Sequence, residues 1–392
     1  PVHEVTIKAV DRDGKPVFMP VLNVRGDDGR FDHLISGEGT GTTILLQEGT
    51  YLLDATLEQD QITDNFVTIP ELQVTGDMTV LLDARRGTPI RIETPRPAEP
   101  TSITSYYIHR VTGGGRSISH GVMRFSLVKD IYVSPTPKLK TGTFEFSSRW
   151  QLIAPRVRAV SGRDTVDAYL VNRSPVYDGT RRYQTAVWGA KDLRGKAVLV
   201  ENDYSDDLTR FVKAGAAAVV LINPAGDNPW TGWDPSITER LPLVTIQVSH
   251  EDGQKLLRKP GPLDLTLTTS SPYLYDVIQV SKDRIPDRIV HTVTAANSMK
   301  ISSRYAHNGG LEWIKEQRFA WRPWQTFAWN DTARVARTPS VREEWVSTGD
   351  SQWWHLVNHA YPWNSFGPLQ TGFAGPLASY AKAGTDDETW AA

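Results

Sequence analysis

The residues nearest to metal chemistry are two histidines in WWHLVNHAYPW, His355 and His359. On a helix, a spacing of four would put both imidazoles on one face, where they could begin a zinc site. No third ligand is evident, and the surrounding aromatics and proline suit packing at least as well, so the pair alone defines no metal site. Neither H-E-x-x-H nor G-x-S-x-G occurs, and no cysteine is present to act as nucleophile, metal ligand or half of a disulfide. The adjacent carboxylates Glu343–Glu344 and Asp386–Asp387 read as solvated charges, because neighbouring residues do not converge on one reaction centre. No cofactor is expected.

Binding chemistry has a better candidate. NPAGDNPWTGWDP (223–235) sets Trp230 and Trp233 among three prolines and two glycines, with Asp227 and Asp234 beside them. Such a loop can hold rigid aromatic surface near solvent at small entropic cost, and the two aspartates favour a basic or polar partner. Tryptophan is concentrated elsewhere too: eight of the thirteen fall between Trp313 and Trp363. Rows of indoles either grip a partner or fill a β-sandwich core, and alternating positions such as Phe319 and Trp321 favour the core.

The elements that must position these residues are mostly strands. In the first 94 residues short segments alternate apolar and polar side chains between Gly- and Asp-rich turns; Val5, Ile7 and Ala9 share one face before the turn Asp11–Gly14. Asp11, Asp13 and Gly14 match the opening of a calcium loop only in part, and a hairpin turn explains them without a metal. PRPAEP (95–100) reads as a stiff linker. Strand texture resumes over 101–149 and returns over 272–392.

Between them, over 150–271, the texture is α/β. RGKAVLVEN (194–202) is a strand pattern. SDDLTRFVKAG (205–215) reads as a helix with Ser205 as cap, Gly215 as stop, and Leu208, Phe211 and Val212 as an apolar stripe. AAAVVLIN (216–223) lacks alternation, as expected of a parallel strand buried on both faces. LPLVTIQVS (241–249) follows, with Ser249 able to cap a second helix. The turn ENDYSDD carries carboxylates and no glycine loop, which excludes a phosphate cradle. The fold class expected is mainly β with an α/β insert: a β-sandwich (1–94), then a second β domain (101–149 and 272–392) interrupted by the α/β module (150–271).

DLRGKAVLV, the helix ending AGAAAVVLIN, the Pro/Gly/Trp loop and LPLVTIQVSHEDGQKLL together resemble the protease-associated (PA) domain. That resemblance implies a non-catalytic α/β module set in or beside a peptidase domain, gating substrate access or making protein contacts. More broadly, a transthyretin-like or carboxypeptidase-regulatory-like sandwich ending in LLDARRGTPIRI, a PA insertion, and PYLYDV followed by DRIP resemble the C-terminal accessory region of secreted actinobacterial subtilisin-like serine peptidases. In that family the catalytic domain lies N-terminal to this region. The H-G-T-H-like and G-T-S-M-A motifs of its Asp/His/Ser triad are absent here; SISHGVMRF offers only His120–Gly121. The expectation is therefore a secreted, non-catalytic accessory region whose partner is a peptidase catalytic domain or a protein or peptide substrate. The alternative is a free-standing extracellular carbohydrate- or protein-binding β-sandwich protein. A net charge of −2 gives no electrostatic footprint for nucleic acid, and no apolar run of 18 residues could span a bilayer.

Overall fold

The computed structural model describes residues 1–35, 41–60, 62–125, 129–171, 173–201, 207–226, 240–307, 312–329, 331–359 and 372–390. The protein is mainly β, with a small α/β insert. Its chain divides into two compact units. One comprises Pro1–Glu93, Thr104–Trp150 and Ile278–Val293; the other comprises Thr94–Ile103, Gln151–Val277 and Thr294–Ala392.

In the first unit, strand Val2–Val10 pairs antiparallel with Gly41–Gln47 and parallel with Met78–Asp83. A second sheet carries Val21–Gly26, Gly49–Leu57 and Thr63–Val74 in antiparallel order. The expected alternation holds: Val5, Ile7 and Ala9 are buried and enter one core with Leu22, Val24, Leu53 and Leu82. The turn after the first strand is closed by its own hydrogen bonds, as the hairpin reading requires. Asp11 Oδ1 accepts from the amides of Asp13 and Lys15, both at 2.9 Å, and Gly14 takes the left-handed conformation that closes the turn. Strand Asp130–Val133 joins this sheet parallel to Thr63–Val74.

In the second unit, eight strands between Val157 and Leu267 form one mixed sheet. Its parallel centre is Ala197–Glu201, Ala218–Ile222 and Val244–Val248. The unbroken apolar run is explained directly. Ala218, Val220 and Ile222 point into one core with Ile246 and Leu265, while Val219 points into the opposite core with Val198 and Phe211. The first helix is shorter than expected, Thr209–Lys213. Leu208 and Phe211 are buried, but Val212 is 44% exposed and leaves the stripe, because one and a half turns present only a narrow face. Ser205 lies outside the described residues. Gly215, at φ +72°, ends the helix as anticipated. The second helix, His250–Arg258, is capped by Ser249, whose Oγ accepts from the Asp252 amide at 3.3 Å.

The rest of this unit is β. Tyr273–Asp276 runs parallel to Glu343–Val346, and Ser298–Tyr305 lies between Ser340–Ser347 and the parallel Gly384–Trp390. A further sheet orders Arg334–Arg337, Trp313–Trp321, Gln352–His359 and Gly372–Ala374. The proline-rich 95–100 segment is not a free linker. Tyr273 Oη donates to the Pro97 carbonyl at 2.5 Å, the Arg96 guanidinium lies 3.9 Å from the Tyr273 ring centre, and Glu99 already begins a strand.

Candidate functional site

The two halves of WWHLVNHA meet the structure differently. Gln352–His359 is a strand, so the i, i+4 argument from a helix does not apply; the residues on His355's own face are its alternate neighbours. His355 is buried, and its partners come from other strands. Nε2 lies 2.8 Å from Glu316 Oε2 and Nδ1 lies 2.9 Å from Glu388 Oε2. The side chain of His359 is outside the described residues.

Around His355 sits a closed charge network. Arg334 reaches Asp276 at 2.7 and 3.0 Å and Glu316 at 2.6 and 3.0 Å. Arg342 lies 2.7 Å from both Glu316 and Glu344, and Arg318 pairs with Glu344 and, at 3.2 Å, with Asp276. Tyr305 donates to Glu344 at 2.5 Å. Four carboxylates (Asp276, Glu316, Glu344, Glu388) thus face three guanidinium groups and one imidazole. The balance closes with His355 protonated. Burial and the nearby Arg318 charge oppose that proton, yet hydrogen bonds to Glu316 and Glu388 and the Glu344 charge outweigh them and raise the pKa above the ordinary imidazole value. Burial likewise pushes Glu388 up, but the His355 hydrogen bond and the charges of Arg318 and His355 hold it at about 2.

Ligand atoms of Glu316, Glu344 and His355 lie within 4.8 Å of one another. The set nevertheless does not suit a cation: each carboxylate is already held by arginine, and a divalent ion would add charge to a neutral cluster beside three guanidinium groups. The cluster is a structural ion-pair core. Strand alternation also splits the Glu343–Glu344 pair, leaving Glu343 half exposed at the surface and Glu344 fully buried in the network, so only one of the two is a solvated charge.

A cleft of about 200 Å³ is lined by Val176, Tyr177, Asp178, Arg240, Thr269, Glu312, Trp313 and Arg337. Two elements build it. The first four residues and Thr269 come from the α/β segment, and Trp313 and Arg337 come from register-paired positions of adjacent strands. Arg337 joins the walls: it lies 3.5 Å from Asp178, donates to Glu312, and sits 5.4 Å from the Trp313 ring centre. Tyr177 donates to the Leu265 carbonyl at 2.9 Å. Asp178 accepts from the Thr269 amide at 2.8 Å, which, with the Arg337 charge, holds its pKa below the ordinary carboxylate value. An aromatic wall and fixed charges of both signs can take the mixed polar and apolar groups of a polypeptide.

Asp227, Trp230, Trp233 and Asp234, the binding residues expected from the sequence, all lie outside the described residues. Arg240, at the end of that stretch, does reach the cleft. In the first unit, His120 Nδ1 approaches Asp54 Oδ1 to 2.7 Å without the alignment of a hydrogen bond. The sequence reading missed the buried network and the cleft. The usable signal was WIKEQRFAW: in a strand, Ile314, Glu316, Arg318 and Ala320 share a face, so the two charges must be buried beside apolar neighbours.

Residues 165–256 match the PA domain family. The chain therefore carries a protease-associated region. No curated protein matches the chain closely enough to count as a relative. Among solved structures it is similar to an aminopeptidase from Aneurinibacillus sp. strain AM-1 (19% identity, TM-score 0.25, covering 36% of this chain and 35% of that one). It is also similar to BSAP, a zinc aminopeptidase from Bacillus subtilis (16%, 0.23, covering 41% and 40%). A third is the psychrophilic subtilisin-like protease Apa1 from Pseudoalteromonas sp. AS-11 (15%, 0.21, covering 40% and 40%). The chain spans no more than about two fifths of these structures, and at such TM-scores the likeness carries no weight.

Proposed function

We propose that this chain is a non-catalytic, polypeptide-binding accessory region of a secreted subtilisin-like serine peptidase. The observation that carries the reading is the PA domain match over 165–256, together with the cleft in which four residues of that segment face Trp313 and Arg337. The absence of triad motifs from the sequence supports the non-catalytic part. In this reading the PA module and the adjoining strands hold a substrate or partner segment, and bond cleavage belongs to a separate catalytic domain.

Two measurements test it. Purified chain is expected to leave denatured casein intact and to take no label from a fluorophosphonate probe; serine-dependent cleavage or labelling overturns the non-catalytic role. The chain is expected to bind denatured casein, and Trp313→Ala with Arg337→Ala is expected to weaken that binding about tenfold or more, as for a central aromatic and its paired arginine. Unchanged affinity in a folded double variant removes the cleft from the binding surface.

A further inference from the structure

Strand Trp313–Trp321 carries the ion-pair core on one face and a different chemistry on the other. Trp313, Lys315, Gln317 and Phe319 alternate along that second face. Trp354 stands directly across from Phe319, with ring centres 5.9 Å apart, and Asn358 directly across from Lys315. The aromatics are only half-buried. Lys315, between them, is 6% exposed, and its Nζ has no hydrogen-bond partner among the described residues.

A buried ammonium without a counterion is costly, and none of the described residues supplies one to Lys315. Glu312 is held by Arg337, while Glu316 points to the other face and is taken by Arg334, Arg342 and His355. Burial alone lowers the Lys315 pKa to about 8, with no charged group contributing, so the amine still carries its proton at neutral pH.

We infer that Lys315 is the anchor for a ligand carboxylate on this face, and that the ligand is an acidic polypeptide segment. Its Asp or Glu pairs with Nζ in a setting that is already desolvated, where a charge pair is stronger than at the surface. Its apolar or aromatic side chains lie on Trp313, Phe319 and Trp354. Gln317 and Asn358 each offer an amide donor and acceptor next to the lysine, which matches the alternating N–H and C=O groups of an extended chain. Trp313 also lines the cleft, so the inference rests on the polypeptide-binding reading and specifies the charge of what is bound.

The test uses the full chain and four probes: a fluorescent poly(Glu,Tyr) copolymer, poly(Lys,Tyr), polygalacturonate and denatured casein. Poly(Glu,Tyr) is expected to bind about tenfold tighter than poly(Lys,Tyr), and Lys315→Met to remove about tenfold or more of that affinity while Lys315→Arg retains most of it. Equal binding of both copolymers, or the same affinity for poly(Glu,Tyr) in wild type, Lys315→Met and Lys315→Arg, overturns the inference. Polygalacturonate bound as tightly, with the same loss in Lys315→Met, overturns the polypeptide assignment in favour of an acidic sugar. If casein binds through Trp313 and Arg337 but the copolymers do not, the inference falls and the proposed function stands; if casein does not bind either, both fall.

Discussion

Both ring nitrogens of His355 face carboxylate oxygens, at 2.8 and 2.9 Å, and only the imidazolium can donate to both. Glu316, Glu344, Glu388, Arg318, Arg334, Arg342, Asp276 and Tyr305 surround it from six other strands, so its proton is linked to the stability of the whole unit. The folded pKa is raised. The stability it contributes is therefore complete below the ordinary imidazole value and is lost as pH rises through the folded value. Glu388 acts in the opposite direction. Held at about 2 against an ordinary 4.5, it contributes above 4.5 and is lost as pH falls toward 2. Denaturant midpoints should be greatest between these limits, and His355→Gln should flatten the alkaline limb. Identical alkaline slopes for wild type and variant would remove His355 from this role. Removing one partner is a harsher test. Arg334→Met leaves Asp276 and Glu316 short of a cation in the interior and should cost about 3–5 kcal/mol in urea unfolding; a loss below about 1 kcal/mol would mean that the network repairs itself.

At the scale of elements, legibility in the sequence followed the locality of the signal. Ser249 followed by HEDGQKLL names a cap and a helix, and the helix is there. AAAVVLIN announces a strand buried on both sides, and two cores receive it. The Gln352–His359 strand was harder to read, because two histidines four apart suggest a helix unless the partner strand Trp313–Trp321 is known. The buried network was illegible for the same reason: its eight charged members come from six strands, and nothing local marks Arg334 as a partner of Asp276. A close approach supplies the test at this scale. A Cβ on Gly253 would lie 2.3 Å from Ile222 Cγ2 and 2.8 Å from its Cγ1. Alanine would gain about 1 kcal/mol of helix propensity. Overpacking against an Ile222 that is itself buried should cost about 1–3 kcal/mol and win. Gly253→Ala is thus expected to lower the thermal midpoint, and Ile222→Ala to make the second change cheaper than in the wild-type background. A stabilised Gly253→Ala would show that the helix moves off the sheet without cost.

Across the whole molecule, the α/β segment begins and ends at one place. Ser271 Oγ donates to the Ala154 carbonyl at 2.8 Å, and the Ala154 amide donates to the Tyr273 carbonyl at 3.1 Å. One step inward, the Thr268 amide donates to the Arg156 carbonyl at 2.9 Å. Between these points the chain leaves and returns with its own material: both cores of the eight-stranded sheet draw their residues from 157–267. Chain ends this close are what a module inserted into a host strand pair requires, since excising it leaves only a short gap to bridge. Two fragments follow from that geometry. Residues 155–270 alone should give a cooperative urea transition with the circular dichroism of a mixed α/β protein. The complementary chain, with 154 joined to 271 through two or three glycines, should keep the His355 network and its pH-dependent stability, because every member of that network lies in 273–277 or beyond 294. If the excised segment is unfolded, its sheet depends on contacts outside itself. If the bridged chain loses its alkaline limb as well, the module supports the host strands, and insertion does not describe their relationship.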